Sequence, residues 1–426
     1  VNLPLANLAL SRCIPRRFYR QGMKMRGRTL ALAMAALLIY PGVTYARALT
    51  YPGNASFSVR TVDWVRSIGL GGVVNSIENW WYTRHPPSAA PPSAGALPQA
   101  DPLGQGPVSG LRPADLPVSA SSLPGEGKWI PGARVPSGAT ADYTTFIRPD
   151  PAHASVVAGV AWLNQRLVRT KLITGTKEPR GAAGPDGGTV PNAWRSSLLA
   201  TFNSGFKMKD CTCGVYADGV QSPPLQDGAA SVIVHTDGTV SVAQWGRDAV
   251  LGPDVQAVRQ NLDLVVDNGA PVPGLQENPA GHWGSASNQF QFTWRSGIGT
   301  DRSGNLIYVA GDKLTLTTLA AAMVQAGIVR GMELDIHSQM VTFATYRPDL
   351  PGTASTKLLP TMSGAADRYL KPDQRDFFAV ALKTANETRS TRNSPNRRSS
   401  TASRWDATGR TAPLGLSPAP GHPLMH

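Results

Sequence analysis

The chain has 426 residues, 41% of them apolar, with 43 glycines, 36 prolines and a formal charge of +13, enough length for at least one large core. Residues 1–48 contribute +8 and residues 383–426 contribute +5, so residues 49–382 are formally neutral. The basicity therefore lies in the two ends, which excludes a core built to bind nucleic acid.

In chain order, residues 1–22 show no clear pattern. Lys24, Arg26 and Arg28 then precede an apolar run of 11 residues, Leu30 to Tyr40, followed by Pro41, Gly42 and an A-x-A site at Ala46-Arg47-Ala48. This order predicts an N-terminal extension followed by an export signal within residues 1–48, and an uncleaved anchor using Leu30 to Ala46 is the alternative. Either one predicts a secreted or cell-envelope protein, in contact with a membrane only through that anchor. Residues 49–84 read as a short helical segment carrying Trp64, Trp80 and Trp81, and residues 85–127 as a Pro/Ala/Gly-rich extended linker. A main domain is expected over residues 128–383 and a disordered basic tail over residues 384–426.

Within the domain, Ser155–Leu163 and Arg166–Thr174 are strand-like and flank Asn164-Gln165, a hairpin signal. A strand at Ser197–Asn203 follows. Ser231–His235 and Thr239–Trp245 flank Asp237-Gly238, a second hairpin. Residues 254–262 suggest a short helix, and Phe290–Gly299 with Leu306–Ala310 a third hairpin. Thr315–Ala326 has Leu316, Leu319, Ala320 and Met323 on one stripe, the strongest helical pattern in the chain. A buried strand in the stretch Gly331–Gln339 and a last one at Phe377–Leu382 complete an α+β domain rich in antiparallel sheet, with few helices. Cys13 lies upstream of the signal. Cys211 and Cys213 read as plain turn residues ahead of a strained disulfide or a ligand pair, since two sulfurs without a nearby His make no zinc site.

The chemistry-bearing residues cluster late in the domain. Glu333 and Asp335 stand two apart in a strand, so the period of two aims both carboxylates at one face, an arrangement suited to acid/base or nucleophilic work. Asp312 precedes the helix before them. In "TFNSGFKM", Asn203 and Gly205 follow a strand, where a glycine with positive φ can bring backbone amides to a ligand. Asp218 sits in a glycine-punctuated loop. Arg295 in "FTWRSGIGTD" has the fork that matches two phosphate oxygens. His337 offers a further acid.

In order, Asn203-Ser204-Gly205-Phe206, Arg295-Ser296-Gly297-Ile298-Gly299, Leu314-Thr315-Leu316 and Leu334-Asp335 resemble the N-x-G-F, R-[ST]-x-x-G, L-T-L and L-D-G-G-G-S stretches of the phosphodiester glycosidase family. The resemblance spans roughly residues 150–345. The signal and linker are similar in layout to exported actinobacterial members of that family. One departure stands out: Ile336-His337-Ser338-Gln339 replaces the glycine run. The resemblance implies an exported hydrolase cleaving the glycosidic bond of a sugar 1-phosphodiester, with a cell-envelope glycan as partner. Arg295 would hold the phosphate and Asn203 the sugar hydroxyls. Asp335 and Glu333 would form the catalytic pair, with Asp312 and Asp218 in reserve. A divalent cation is compatible with these carboxylates but not specified by their spacing. The alternative reading is a non-catalytic cell-envelope protein that binds phosphorylated glycans.

Overall fold

The computed structural model describes residues 39–98 and 109–388, except residues 54, 286, 351, 353, 354 and 385. The basic part of the expected export segment, its apolar residues 30–38, and the expected tail beyond residue 388 lie outside the described residues. Among the described residues no helix is long and apolar enough to cross a membrane.

Three antiparallel sheets make up the domain. The first has eight strands, in the order Ile130–Pro131, Asp142–Ile147, Ala158–Leu163, Leu306–Leu314, Thr293–Thr300, Arg330–Ile336, Leu264–Asp267 and Ala270–Pro271. The second has five, Val220–Gln221, Val215–Ala217, Val255–Gln260, Ala230–His235 and Val240–Gln244. The third also has five, Thr356–Lys357, Phe343–Thr345, Leu198–Asn203, Phe377–Leu382 and Val168–Ile173. Alternation along the central strands explains how the layers form. Ala161 and Leu163, with Leu306, Tyr308 and Ala310, enter one core shared by all three sheets. Ala158, Val160 and Trp162, with Ile307 and Val309, point to the opposite face, where helix Leu316–Gln325 covers them. Both faces are buried, so these strands read as nearly continuous apolar runs.

Phe202 ties the shared core together, its ring centroid 5.2–5.7 Å from those of Tyr308, Phe343 and Phe378. On the far face the helix comes close to the sheet because Gly297 and Gly331 carry no side chain: a Cβ there would lie 2.7 Å from the Met323 sulfur and 2.4 Å from its methyl. Thr315 caps the helix, its Oγ1 accepting from the Thr318 amide at 3.2 Å.

The second and third expected hairpins form as read, with Ala230–His235 pairing with Val240–Gln244 and Thr293–Thr300 with Leu306–Leu314. Three expectations are corrected. Ala158–Leu163 and Val168–Ile173 form no hairpin, because the chain passes from the first sheet into the third between them. Gln165 is buried at that corner, its amide donating to Val240 O and Gly304 O, each at 2.7 Å, and so it pins the crossing. Residues 254–262 are no helix: Val255–Gln260 is the mostly buried central strand of the second sheet, paired with Val215–Ala217 and Ala230–His235, and β-branched packing outweighs local helical preference. Cys211 and Cys213 are joined in a disulfide rather than free in a turn.

Asp142 gives a stability test away from any site. Its Oδ1 accepts from the Ala133 amide at 2.8 Å, and burial pushes its carboxyl up to about 7. The folded chain thus keeps a proton that the unfolded chain loses, so stability is full below about pH 4 and falls as pH rises to about 7. Asp142→Asn should remove that slope, and urea unfolding across this window should show the variant gaining on wild type by up to about 4 kcal/mol at neutral pH. Parallel pH profiles for the two proteins would refute the assignment.

Candidate active site

A cavity of about 490 Å³ opens beside the C-terminal end of strand Arg330–Ile336. From the domain it is lined by Phe206, Lys207 and Asp210, by Ser285, Asn288 and Gln291, by Asp335–Met340, and by Arg375. Its opposite wall belongs to two helices from before the domain, Phe57–Val65 and Gly71–Arg84, and the turn Arg66–Leu70 between them, which contribute Asp63, Arg66, Asn75, Glu78 and Tyr82.

Asp335 is the most constrained of these groups. Its amide donates to Ser204 O at 3.2 Å, and its main-chain oxygen accepts from the Ser296 hydroxyl at 2.8 Å. Its Oδ1 accepts from the Ile336 amide at 2.9 Å and its Oδ2 from Arg375 Nη2 at 2.7 Å. Burial raises its pKa and the neighbouring Arg375 guanidinium opposes the rise. Arg375 is itself oriented by Gly205 O, which accepts from it at 2.7 Å.

Gly205 acts differently from the expectation. It makes no positive-φ turn; a Cβ there would meet the Asn261 side chain at 2.8 Å. Close approach is what the position requires, because Asn261 Oδ1 accepts from the Phe206 amide at 3.0 Å while its Nδ2 donates to Glu333 O at 2.9 Å. One amide thereby fixes the loop carrying Lys207 against the strand carrying Asp335. Burial lowers the pKa of Lys207, whose ammonium pairs with Asp63.

His337 also lines the cavity. Burial, together with the positive charges of Arg295, Arg66 and Lys207, pushes its pKa down to about 3, so the ring is neutral near pH 7. Its Nδ1 lies 3.1 Å from Thr293 Oγ1, and its ring stacks on Tyr82 with centroids 5.3 Å apart. Its φ is +73°, a left-handed conformation that costs a non-glycine residue about 1 kcal/mol. The backbone shape that glycine adopts freely is kept in a stretch from which glycine is missing.

The other expected site residues do not reach the cavity. Arg295 and Glu333 are fully buried and pair with each other, Nη1 to Oε1 at 2.6 Å. Arg295 also donates through Nε to Leu314 O at 3.0 Å and through Nη2 to Asn288 O, so its fork is consumed inside the protein. The phosphate-holding role read for Arg295 is thus corrected to a structural ion pair. The expected Glu333–Asp335 couple is likewise divided between two arginines: the register shifts between Arg295 and Gly297, and each carboxylate has its own cationic partner. Asn203 uses its whole amide internally, donating to Ser204 O and Ser296 Oγ and accepting from Tyr308 and Thr342, which leaves nothing for a sugar hydroxyl. Asp218 is exposed and paired with Arg180 at 2.9 Å. Asp312 accepts from the Lys313 amide and lies outside the cavity lining. Among the described residues no group of three or more His, Cys, Asp or Glu side chains is placed to hold a metal ion.

Residues 199–360 match the phosphodiester glycosidase family model. That span contains the Lys207 loop, the Arg295–Glu333 pair, Asp335 and His337, while Arg375 lies beyond it. The phosphodiester glycosidase match supports a glycosidase-type hydrolase. No curated protein matches the chain. Among solved structures, the chain is similar to the zebrafish N-acetylglucosamine-1-phosphodiester alpha-N-acetylglucosaminidase catalytic domain, described as auto-inhibited by its pro-peptide. Identity there is 14%, over 60% of this chain and 88% of that one, with a TM-score of 0.39. A hypothetical protein from Synechocystis is similar at 14% identity, over 54% of this chain and 59% of that one, with a TM-score of 0.32.

Lys207 and Arg375 are the domain residues that sequence reasoning passed over. Lys207 stands inside the quoted "NSGFKM" stretch, two residues after Gly205. Arg375 lies in "DQRD", a charged run directly before the apolar strand Phe377–Leu382. A charged run entering a buried strand was the available signal.

Proposed function

We propose that the protein is an exported hydrolase that cleaves the sugar–oxygen bond of a sugar 1-phosphodiester, with a cell-envelope glycan as the substrate class. The observation that carries this reading is the Asp335–Arg375 pair lining the cavity, with Asp335 inside the family-matched span. The departing group of such a diester is a phosphate monoester, which leaves as a stable anion and requires no proton. A single well-placed carboxylate therefore suffices to steady the positive charge that develops at the sugar carbon or to activate water. Asp335 fills that role, and Lys207 and Arg375 face the leaving phosphate. Water supplies the hydroxyl at the sugar carbon, and the phosphate monoester keeps the bridging oxygen. Incubation with a methyl ester of a sugar 1-phosphate, followed by assay of free reducing sugar, tests the proposal. Tight binding with no sugar release would favour the non-catalytic glycan-binding reading.

In this arrangement Asp63 occupies Lys207, so a bound phosphate competes with the Asp63 carboxylate. Asp63→Asn should lower the KM for the diester about three- to tenfold with little change in kcat, the size expected for a partly exposed ion pair. An unchanged or raised KM would mean that Asp63 does not screen the site.

A further inference from the structure

Helix Gly71–Arg84 carries its polar stripe inward and its apolar stripe outward. On the inner side Asn75 and Glu78 accept from Arg66 at 2.7 and 2.6 Å, and Tyr82 stacks on His337. On the outer side Val73, Ile77, Trp80 and Trp81 are 54, 60, 52 and 50% exposed. Positions 73, 77, 80, 81 and 84 fall on one face at the helical period, the reverse of a surface helix that faces only water. The helix cannot roll to bury this face without losing its anchors. Tyr82 O accepts from the Phe292 amide at 3.2 Å, and His85 O accepts from Lys313 Nζ at 3.2 Å.

Three observations select the occupant of the face. Its exposed members, Gly72, Val73, Ser76, Ile77, Trp80, Trp81 and Arg84, include no carboxylate and one guanidinium, which sits 5.8 Å over the Trp80 ring. Indoles beside a guanidinium suit the boundary between acyl chains and phosphate headgroups. Next, the helical residues 39–50 begin with Ile39, Tyr40 and Val43, which are 63, 68 and 46% exposed. This segment packs on helix Phe57–Val65 through Tyr45 to Thr61 and Trp64 to Thr44. Finally, residues 29–46 contain no charged side chain and follow Lys24, Arg26 and Arg28, so the exposed helices are joined directly to a sequence that favours lipid.

We propose that residues 39–84 dock on a membrane, with Ile77, Trp80 and Trp81 seated in the headgroup region of a bilayer containing anionic phospholipid. The 14-residue helix Gly71–Arg84 then has lipid on one side and the candidate active site on the other, which holds the site beside the membrane surface.

The test uses the full chain and vesicles of phosphatidylcholine and phosphatidylglycerol, with and without brominated acyl chains. Wild type should float with the vesicles and have part of its tryptophan emission quenched by the brominated lipid. W80F/W81F should float equally and lose that quenched part. I77S/W80S/W81S should bind at least about tenfold more weakly, as expected when the apolar contacts of an interfacial helix are removed. Quenching unchanged in W80F/W81F, or equal binding by the serine variant, would overturn the proposal. So would self-association of wild type without lipid that the serine variant abolishes, since the face would then belong to a second copy. If the serine variant fails to fold, the quenching comparison still decides.

Discussion

Arg295→Met is expected to unfold at markedly lower urea concentration than wild type, a loss of about 3–5 kcal/mol. Methionine keeps the aliphatic stem but leaves Glu333 buried and unpaired, with the Leu314 and Asn288 carbonyls also losing their donor. Burial already raises the Glu333 pKa against the pull of Arg295, so removing the guanidinium should leave Glu333 protonated in the fold. Glu333→Gln should cost less, because a neutral amide can still accept from Arg295. Stability unchanged in Arg295→Met, together with lost affinity for a sugar phosphodiester, would return Arg295 to the ligand.

Asp335→Asn is expected to reduce turnover about 10²- to 10⁴-fold while the domain still folds. Asparagine keeps the acceptor for the Ile336 amide but loses the charge facing Arg375; because burial holds the Asp335 pKa above its usual value, the ionised carboxylate is kept at a net cost, and stability near pH 7 should be unchanged or slightly raised. Repulsion from Glu333 is not the cause, since that carboxylate is taken up by Arg295. Arg375 offsets part of the burial cost, which keeps any gain small. In wild type the activity should drop as pH falls through the raised pKa of Asp335, and neutral His337 should add no limb near pH 7. Sugar release by Asp335→Asn at the wild-type rate would remove Asp335 from the chemistry.

Elements with strong periodic patterns were legible in the chain. Helix Leu316–Gln325, the Ala230–Gln244 hairpin and the strands at Leu198–Asn203, Arg330–Ile336 and Phe377–Leu382 follow from period and turn chemistry alone. The crossing at Asn164-Gln165 was hidden because a tight hairpin and a sheet-to-sheet corner use the same polar pair; the difference lies in Val240 and Gly304, far away in sequence. Of the residues singled out in the sequence, Asp335 and His337 line the cavity and Arg295 does not. Whether an arginine faces a ligand or a buried acid depends on strand register, and here a bulge intervenes. Arg66, Glu78 and Tyr82 were unreadable as cavity residues, since no local pattern tells which wall a helix from outside the domain will complete.

The order of strands in the third sheet bears on how the chain is made. Its last strand, Phe377–Leu382, lies between Leu198–Asn203 and Val168–Ile173, and these two have no pairing with each other. In the first sheet Ala158–Leu163 waits for Leu306–Leu314. A ribosome releasing this polypeptide from its N-terminus therefore leaves Val168–Ile173 and one edge of Leu198–Asn203 unpaired until residue 382 emerges, some two hundred residues later. By the same token, a stop codon even slightly upstream of Phe377 removes the middle of a sheet, and its product should be cleared by proteases rather than persist as a shortened enzyme.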